Sequence, residues 1–286
     1  MSAVTSIAHR SASTPTFRQL QIHIDQKHEA AWCFMSAPAR PCFTTVMLDE
    51  LNDWFGRLRH GAAALGVRYH VIASAMPGVY NLGGDLDLFS KLIQQQDREG
   101  LLDYGIRCID ALHANLQCLD SGVTTISLVQ GDALGGGFEA ALSSDVIIAE
   151  RGTRMGFPEI LFNLFPGMGA YSLLSRKLDA KQAERMMLSG DLYSAETLHD
   201  MGLVDVLAEP GDGALAVYEH IRRENRSRNG FRAVRKVRNT LNPLGYRELR
   251  DVLEIWVDAA LALEPRDLRM MQRLVSRQTQ LGAAAA

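Results

Sequence analysis

Two glutamates that follow short glycine-containing segments are the residues of this chain best suited to acid–base chemistry. Glu139 comes two residues after the glycine triplet 135–137, and Glu159 follows the apolar segment 155–158, Met-Gly-Phe-Pro. Apolar surroundings raise the pKa of a carboxyl group toward the range in which it can act as a general acid or base. The two carboxyl groups therefore form a candidate catalytic pair.

Two glycine-rich turns could supply backbone N–H donors beside these carboxyl groups. The first is 81–86, and the second is 131–139, where a buried strand runs into three glycines and then a helix. Because glycine has no Cβ, its N–H can closely face a ligand, and the dipole of a following helix favours negative charge. Such donors can stabilise an oxyanion. Each turn alone is also typical of an ordinary loop, and it is the combination with the glutamates that favours a functional site.

Other common catalytic signatures are absent from the sequence. It contains no G-x-S-x-G, H-E-x-x-H or G-x-x-x-x-G-K-[ST] pattern, and 167–172 lacks the third small residue of a dinucleotide fingerprint. The eight histidines show no metal-ligand spacing, so we expect no metal site. The four cysteines include no C-x-x-C pair and are expected to be reduced thiols.

The composition is that of an ordinary globular protein and narrows the classes of partner. The chain has 286 residues, 47% of them hydrophobic, and a net charge of -3, which provides no general field for a nucleic acid backbone. We therefore expect no nucleic acid partner. No segment approaches the length of a membrane span, and residues 1–16 lack the apolar core of a signal peptide. These observations favour a cytoplasmic enzyme or binding protein.

The elements predicted around the candidate site alternate between strands and helices, which indicates an α/β fold. Strands are predicted at 17–24, 31–35, 67–75, 124–130, 145–149 and 154–157, with a further apolar run at 203–207. Helices are predicted at 44–65, 86–119, 135–142, 167–177, 180–188, 194–201 and 211–280. We divide the chain into a flexible N-terminus at 1–16, a core at 17–210 and a helical region at 211–281 for packing and oligomerisation.

These motifs resemble the crotonase (enoyl-CoA hydratase/isomerase) superfamily over about residues 20–275. The segments at 81–86 and 131–139 resemble its first and second oxyanion segments, and 156–159 with 166–169 resembles its third block. The segments 194–196 and 202–205 are similar to its closing signature. The resemblance implies a crotonase-like spiral of β-β-α turns and a C-terminal helical region used in forming a homo-oligomer, a trimer or hexamer.

The resemblance also implies roles for individual residues. The backbone N–H groups of Gly84 and Gly136 would form an oxyanion hole for a thioester carbonyl, and Glu139 and Glu159 would be the catalytic pair. The further substrate-binding residues it implies are Leu82, Gly83, Asp85, Gly135, Leu161 and Met168. No cofactor is implied, because the substrate arrives as a thioester of acyl carrier protein or of CoA, whose adenosine side would lie near Leu82.

The closer similarity is to the diffusible signal factor synthases, which make cis-2-unsaturated fatty acid signals. It is carried by 40–43, 79–89, 162–172 and 254–258. It implies dehydration of a 3-hydroxyacyl-[acyl-carrier protein] and hydrolysis of the cis-2-enoyl thioester to the free acid. Glu159 would take the α-proton and Glu139 would help the hydroxyl leave, with acyl carrier protein as a partner and a sensor or regulator protein as another.

Three other functions stay open. An ordinary enoyl-CoA hydratase would use the same glutamates, a thioesterase or isomerase is the second, and a non-catalytic acyl- or partner-binding module is the third, which the two retained glutamates disfavour. The apolar residues Leu161, Phe162, Leu164, Phe165 and Met168 predict either an acyl tunnel or a plain core or subunit interface. The basic cluster at 222–238 predicts either a docking surface for an acidic carrier protein or CoA phosphate, or a solvated helix face.

Overall fold

The computed structural model describes residues 16–37 and 39–285. Apart from Thr16, the N-terminal segment that we expect to be flexible therefore lies outside the described residues. The strands are β1 (Leu20–Asp25), β2 (Ala30–Met35), β3 (Tyr69–Ser74), β4 (Gly78–Asn81), β5 (Thr124–Val129), β6 (Gly131–Leu134), β7 (Val146–Glu150), β8 (Arg154–Gly156), β9 (Leu192–Ser194) and β10 (Val206–Ala208).

Along the residues that the structure describes, seven helices lie between the strands, and four more follow β10. They are α1 (Thr45–Leu65), α2 (Leu86–Gln94), α3 (Arg98–Gln117), α4 (Gly136–Leu142), α5 (Ala170–Leu174), α6 (Ala180–Ser189), α7 (Ala195–Asp200), α8 (Gly213–Asn225), α9 (Arg228–Leu241), α10 (Tyr246–Leu261) and α11 (Pro265–Ala285). Two 3₁₀ helices lie at Cys118–Ser121 and Pro158–Phe162.

The strands form two sheets. The larger sheet has the order β1-β2-β3-β5-β7-β10, in which only the β1–β2 pair is antiparallel. The smaller sheet has the order β4-β6-β8-β9, in which only β8–β9 is antiparallel. The pairs β3–β4, β5–β6 and β7–β8 each place their first strand in the larger sheet and their second in the smaller one. Helical structure follows each pair, so the chain repeats a β-β-α unit.

Three short strands of the smaller sheet, β4, β6 and β9, are not predicted from the sequence. Each has only three or four residues, too few to show alternation. Gly131 shows why a glycine begins β6: a Cβ there would collide with the backbone of Gly78 and Val79 in β4. The close approach of these strands thus depends on glycine.

The helical stretch predicted at 86–119 is two helices. Gln96 has a φ of 53°, which breaks the first helix, and the Asp97 side chain accepts a hydrogen bond from Gly100 N at 2.9 Å. An acceptor at this position satisfies an N–H that has no partner within the helix. A new helix, α3, therefore starts after Asp97.

The larger sheet is covered on both faces, which explains why its central strands β3, β5 and β7 are buried along almost their whole length. On one face Val71 and Leu128 pack with Val217 and Ile221 of α8. On the other face the main core joins the sheet to α1, α3 and α10. The helix α10 packs on α3, and α11 packs on α2 and on the 3₁₀ helix Pro158–Phe162. No helix among the described residues is both long and apolar enough to cross a membrane.

Candidate active site

Glu139 lies in the first turn of α4, with its side chain buried. Its Oε1 accepts hydrogen bonds from Met168 N at 2.9 Å and from Ala170 N at 2.8 Å, at the start of α5. Burial raises the pKa of Glu139 to about 7, although N–H groups from Met168, Gly169 and Ala170 favour the charged form. This carboxyl group is fixed in place and can change its protonation near neutral pH.

Glu159 lies in the 3₁₀ helix Pro158–Phe162. The residue is partly exposed, but its Oε2 is buried and has no hydrogen-bond partner in the described part of the chain. Burial, and then the negative charge of Glu139, raise the pKa of Glu159 to about 8. Two neighbouring carboxyl groups resist simultaneous ionisation, so the pair tends to share a proton. In the free protein, the N–H bonds favour charge on Glu139 and the proton on Glu159.

Gly135 makes room for the Glu159 carboxyl group. A Cβ at this position would collide with Glu159 Oε1. The backbone of Gly135, with φ 53° and ψ −124°, is also one that residues with side chains rarely adopt. Steric space and backbone conformation therefore both require glycine here.

The two glycine turns lie against each other and carry the predicted oxyanion donors. A Cβ at Gly83 would lie 3.0 Å from Gly136 N, and one at Gly136 would lie 3.6 Å from Gly84 N. Among residues 16–37 and 39–285, neither the Gly84 N–H nor the Gly136 N–H donates to a protein acceptor. Two adjacent donors without partners are the arrangement that an oxyanion requires.

Hydrogen bonds on the opposite side of each peptide unit fix these two donors. Gly83 O, which shares a peptide unit with Gly84 N, accepts from Phe43 N at 2.8 Å. Gly135 O, which shares one with Gly136 N, accepts from Phe138 N at 2.9 Å and from Glu139 N at 3.0 Å. Since a peptide unit is planar, holding its carbonyl also holds its N–H.

Both carboxyl groups and both donor glycines line one cavity of about 260 Å³. The predicted substrate-binding residues that line it are Leu82, Gly83, Gly135, Leu161 and Met168. Asp85, also predicted to bind substrate, does not line the cavity. Its carboxylate pairs with Arg40 at 2.9 Å and accepts from Leu88 N at 3.2 Å, which caps α2. The structure thus brings together every predicted site residue except Asp85.

The apolar wall of the cavity agrees in part with the predicted acyl tunnel. Leu161, Phe162 and Leu164 line it, whereas Phe165 does not. Helices from other parts of the chain supply much of the rest. These residues, none of which is predicted from the sequence as a site residue, are Leu48, Leu51, Phe55, Tyr104, Cys108, Ala111, Leu112, Asn115, Trp256, Leu274 and Gln278.

Gln278 of α11 is a site residue that could not be predicted from the sequence. Its side chain is buried, and its Nε2 donates to Leu82 O at 3.0 Å, with Gly84 O at 3.5 Å. The C-terminal helix therefore holds the carbonyl groups that flank the first oxyanion donor. A glutamine in a helical segment carries no sequence signal of such a contact.

The basic cluster at 222–238 does not form one exposed surface. Arg235 is buried and pairs with Glu224 at 2.7 Å, and Arg238 pairs with Asp145 at 2.9 Å. Arg222 is exposed on α8, which packs on the face of the larger sheet opposite α1 and α3. Within one chain, α8 lies across the sheet from the cavity, and none of the residues 222–238 lines the cavity. In the described ranges, no group of three or more His, Cys, Asp or Glu residues could hold a metal ion.

The family of the chain follows from its architecture and from sequence comparison. The repeated β-β-α units, two sheets and surrounding helices form the crotonase fold, in agreement with the prediction. The enoyl-CoA hydratase/isomerase family model matches residues 31–254, and the chain belongs to that family.

The chain matches only part of the length of its curated relatives. The chain is 28% identical over 194 residues to the fatty acid oxidation complex subunit alpha of Pseudomonas savastanoi pv. phaseolicola, which is 68% of this chain and 26% of that protein. It is 29% identical over 135 residues to the peroxisomal fatty acid beta-oxidation multifunctional protein AIM1 of Arabidopsis thaliana, covering 47% of this chain and 18% of that one. The chain thus spans about a quarter or less of these relatives.

Solved structures share the fold over most of the chain. Pseudomonas aeruginosa DspI superposes with a TM-score of 0.69 at 23% identity, covering 81% of this chain and 90% of that one. Enoyl-CoA hydratase from Bacillus halodurans superposes with a TM-score of 0.76 at 17% identity, and the match covers 90% of this chain and 100% of the hydratase. At these identities the similarity concerns the fold.

Proposed function

We propose that the protein is a diffusible signal factor synthase, which dehydrates a 3-hydroxyacyl-[acyl-carrier protein] and hydrolyses the cis-2-enoyl thioester to the free fatty acid. The observation that carries the proposal is the joint placement of four groups in one apolar cavity: Glu139, Glu159 and two glycine N–H groups that no described residue accepts from. The similarity of 79–89 and 162–172 to such synthases supports the choice of this substrate over other thioesters.

In the dehydration step, the thioester carbonyl oxygen accepts from the N–H groups of Gly84 and Gly136. Ionised Glu159 removes the α-proton, and these two donors hold the negative charge that develops on the carbonyl oxygen. One such oxyanion-hole donor is typically worth about 3 kcal/mol. Protonated Glu139 then gives its proton to the β-hydroxyl, which leaves as water while the C2–C3 double bond forms. In net terms the proton has moved from Glu139 to Glu159, and its transfer back to Glu139 restores the starting state.

In the hydrolysis step, a carboxylate of the same pair removes a proton from water, and the water oxygen attacks the thioester carbonyl carbon. The two glycine N–H groups hold the tetrahedral oxyanion. The C–S bond then breaks, and the proton passes to the leaving thiolate. The products are the free acid and the carrier thiol.

One observation favours a second candidate, an enoyl-thioester hydratase. Glu139 accepts two N–H bonds, while Glu159 Oε2 accepts none from the part of the chain that the structure describes, so the resting proton favours Glu159. Hydration of a double bond starts from that distribution, because Glu159 would give its proton to C2. Dehydration starts from the opposite distribution, with the shared proton on Glu139.

We also propose that the chain acts as a homo-oligomer, a trimer or hexamer, with acyl carrier protein as the donor of substrate and a sensor or regulator protein as a further partner. Exposed Val234, Val237 and Leu241 form an apolar stripe on α9, which supports a subunit contact. The carrier-protein and regulator proposals depend on the resemblance alone.

Mass spectrometry of products from a 3-hydroxyacyl carrier protein, with the matching CoA thioester in parallel, tests the function. We expect free cis-2-enoic acid from the carrier thioester, and its loss in both Glu139→Gln and Glu159→Gln. Glu219→Gln, an exposed glutamate on α8, is the matched control and should retain activity. A product that stops at the thioester would identify a hydratase, and near-wild-type turnover by Glu139→Gln would contradict the mechanism.

A further inference from the structure

The helix α4 carries two groups of the candidate site but has little of its own to hold it in place. Gly136, one oxyanion donor, is its first residue, and Glu139 lies in its first turn. A helix of seven residues is too short to be stable by itself. Four of the seven are glycine or alanine, whose small side chains interlock little with neighbouring elements. The position of α4 must therefore be fixed largely from outside the helix.

The N-terminal end of α4 offers few such contacts, because its N–H groups face the cavity. Among the residues that are described, no side chain caps this end, and Gly136 N donates to no protein acceptor. One backbone bond, from Gly135 N to Gly156 O at 2.8 Å, holds the loop just before the helix. The C-terminal end is held differently, by buried side chains.

Asn115 of α3 holds the two serines that follow the last turn of α4. Its Nδ2 donates to Ser143 Oγ at 2.8 Å and to Ser144 Oγ at 3.1 Å. Ser143 Oγ gives its single hydrogen to Ala140 O at 2.7 Å, so it can only accept from the amide, and the amide atom that faces it is the nitrogen. Both hydrogens of one amide are therefore used on consecutive residues at the end of α4.

The same contacts extend from α4 into both sheets. Ser144 Oγ is hydrogen-bonded to Ser127 Oγ of β5 at 2.9 Å, and Ser127 Oγ to Tyr80 OH of β4 at 3.1 Å. The five side chains of this network, which include Asn115 and Ser143, are at most 4% exposed. Breaking a buried hydrogen bond leaves polar groups unmet, so such bonds resist displacement. The end of α4 is thus tied to α3, β4 and β5 by directional contacts.

A shift at this end of α4 would reach the candidate site within two turns. Ser143 N donates to Glu139 O at 3.1 Å, so a residue held by Asn115 is bonded directly to the peptide group of the candidate acid. At about 1.5 Å per residue, Gly136 lies only about 10 Å from Ser143 along the helix axis. A helix this short moves nearly as one body, so a displacement of its end also displaces both groups of the site.

We propose that Asn115 is a positioning residue, which acts through the end of α4 to place Glu139 and the Gly136 N–H against the thioester. It acts by the hydrogen bonds that it donates to the protein, so the role requires no contact between Asn115 and the ligand. The inference rests on the proposed function only in taking Glu139 and Gly136 as groups that meet a thioester.

The carbonyl stretching frequency of a bound ligand tests the inference without requiring turnover. The ligand is octanoyl-pantetheine labelled with carbon-13 at the carbonyl, with a CH₂ group in place of the sulfur so that it cannot be hydrolysed. Hydrogen bonds from Gly84 and Gly136 should lower the frequency in wild type below its value in an apolar solvent. Since one of the two donors is displaced, we expect Asn115→Leu to lose about half of this shift.

The same variant should also slow the reaction. We expect kcat for the 3-hydroxyacyl thioester to fall about tenfold in Asn115→Leu, because a displacement of about 1 Å at a reacting group can cost about 100-fold. A loss of folded protein would not mimic the infrared result, because the frequency of the bound ligand does not depend on the folded fraction. The two measurements therefore separate positioning from a purely structural role.

Two further variants separate positioning from direct contact and from stability. Ser144→Ala removes one acceptor of Asn115 at a residue that does not line the cavity, and it should change the carbonyl frequency in the same direction. Asn52→Leu is the matched control, because its amide donates to Arg107 O of α3 at 3.0 Å and not to α4. It should lower the Tm while the carbonyl frequency and kcat stay near wild type.

Three results would overturn the inference: a wild-type frequency that is not lowered, an unchanged frequency in both Asn115→Leu and Ser144→Ala, or an equal change in Asn52→Leu. A wild-type protein that shows the expected frequencies but no dehydration or hydrolysis would instead refute the proposed function and leave the positioning role of Asn115 intact.

Discussion

Replacing Gly135 by alanine tests whether the position of the Glu159 carboxyl group limits the reaction. The new Cβ would occupy the space of Glu159 Oε1, so the carboxyl group must move away from the cavity wall. A displacement of about 1 Å at a reacting group can cost about 100-fold in rate. We therefore expect Gly135→Ala to lower kcat for the 3-hydroxyacyl thioester by about 100-fold.

The same substitution also strains the backbone, and the two effects need separate measurement. A residue with a side chain at φ 53° and ψ −124° costs about 1–3 kcal/mol. At about 2–4 °C per kcal/mol for a large domain, the Tm should fall by about 2–12 °C. Thermal unfolding and single-turnover kinetics on the purified variant at a temperature well below its Tm measure the two effects independently.

Gly152→Ala is the matched control for strain. Gly152 also has a positive φ, 82°, but a Cβ there would meet no atom within 4 Å. We expect it to lower the Tm through backbone strain while kcat stays near wild type. If Gly135→Ala lost no more activity than Gly152→Ala, the argument that Gly135 positions Glu159 would be refuted.

Two further predictions concern stability. Arg235→Ala leaves Glu224 buried without its partner and should lower the free energy of unfolding in denaturant by about 3–5 kcal/mol. The control, Arg222→Ala at an exposed ion pair, should change the free energy of unfolding by less than about 1 kcal/mol. Equal effects of the two substitutions would contradict the argument from burial. The pKa of Glu159 is about 8 in the folded protein against an ordinary 4.5, so the folded state retains a proton that the unfolded chain has released. Its contribution to stability is complete below about pH 4.5 and is lost as the pH rises to about 8, and unfolding titrations should show a flatter dependence over this range in Glu159→Gln than in wild type.

The segments that carry the site could be predicted because their signals are local. A glycine triplet before a helix and a glycine pair after a strand each have a conformational cause within a few residues, as the backbone of Gly135 shows. The resemblance predicts that Glu139 and Glu159 lie together, and the structure places both beside one cavity. The strands that carry these segments were harder to predict, because β4 and β6 have only four residues each.

The walls of the cavity could not be predicted, because their signal is long-range. Leu51 and Phe55 lie on an apolar helix face, which looks the same whether it meets a solid core or a cavity. Asp85 illustrates the reverse case: it lies within a motif of the site, yet its carboxylate faces Arg40 and the start of α2. The run of arginines is equally ambiguous in the sequence, because it fits a binding surface or a structural role. Only the packing shows that Arg235 joins α9 to α8, through its hydrogen bonds to Glu224.

The C-terminal helices are part of the site as well as of its packing. Trp256 of α10 occupies the space beside Gly167, where a Cβ would collide with its ring, and this places the loop that carries Met168 N, a donor to Glu139. Gln278 of α11 holds Leu82 O on the other side of the cavity. One carboxyl group and one oxyanion segment are therefore positioned by residues about 100 or more positions later in the sequence. Loosening these helices should therefore release Met168 N and Leu82 O from their positions and impair catalysis before it unfolds the sheets.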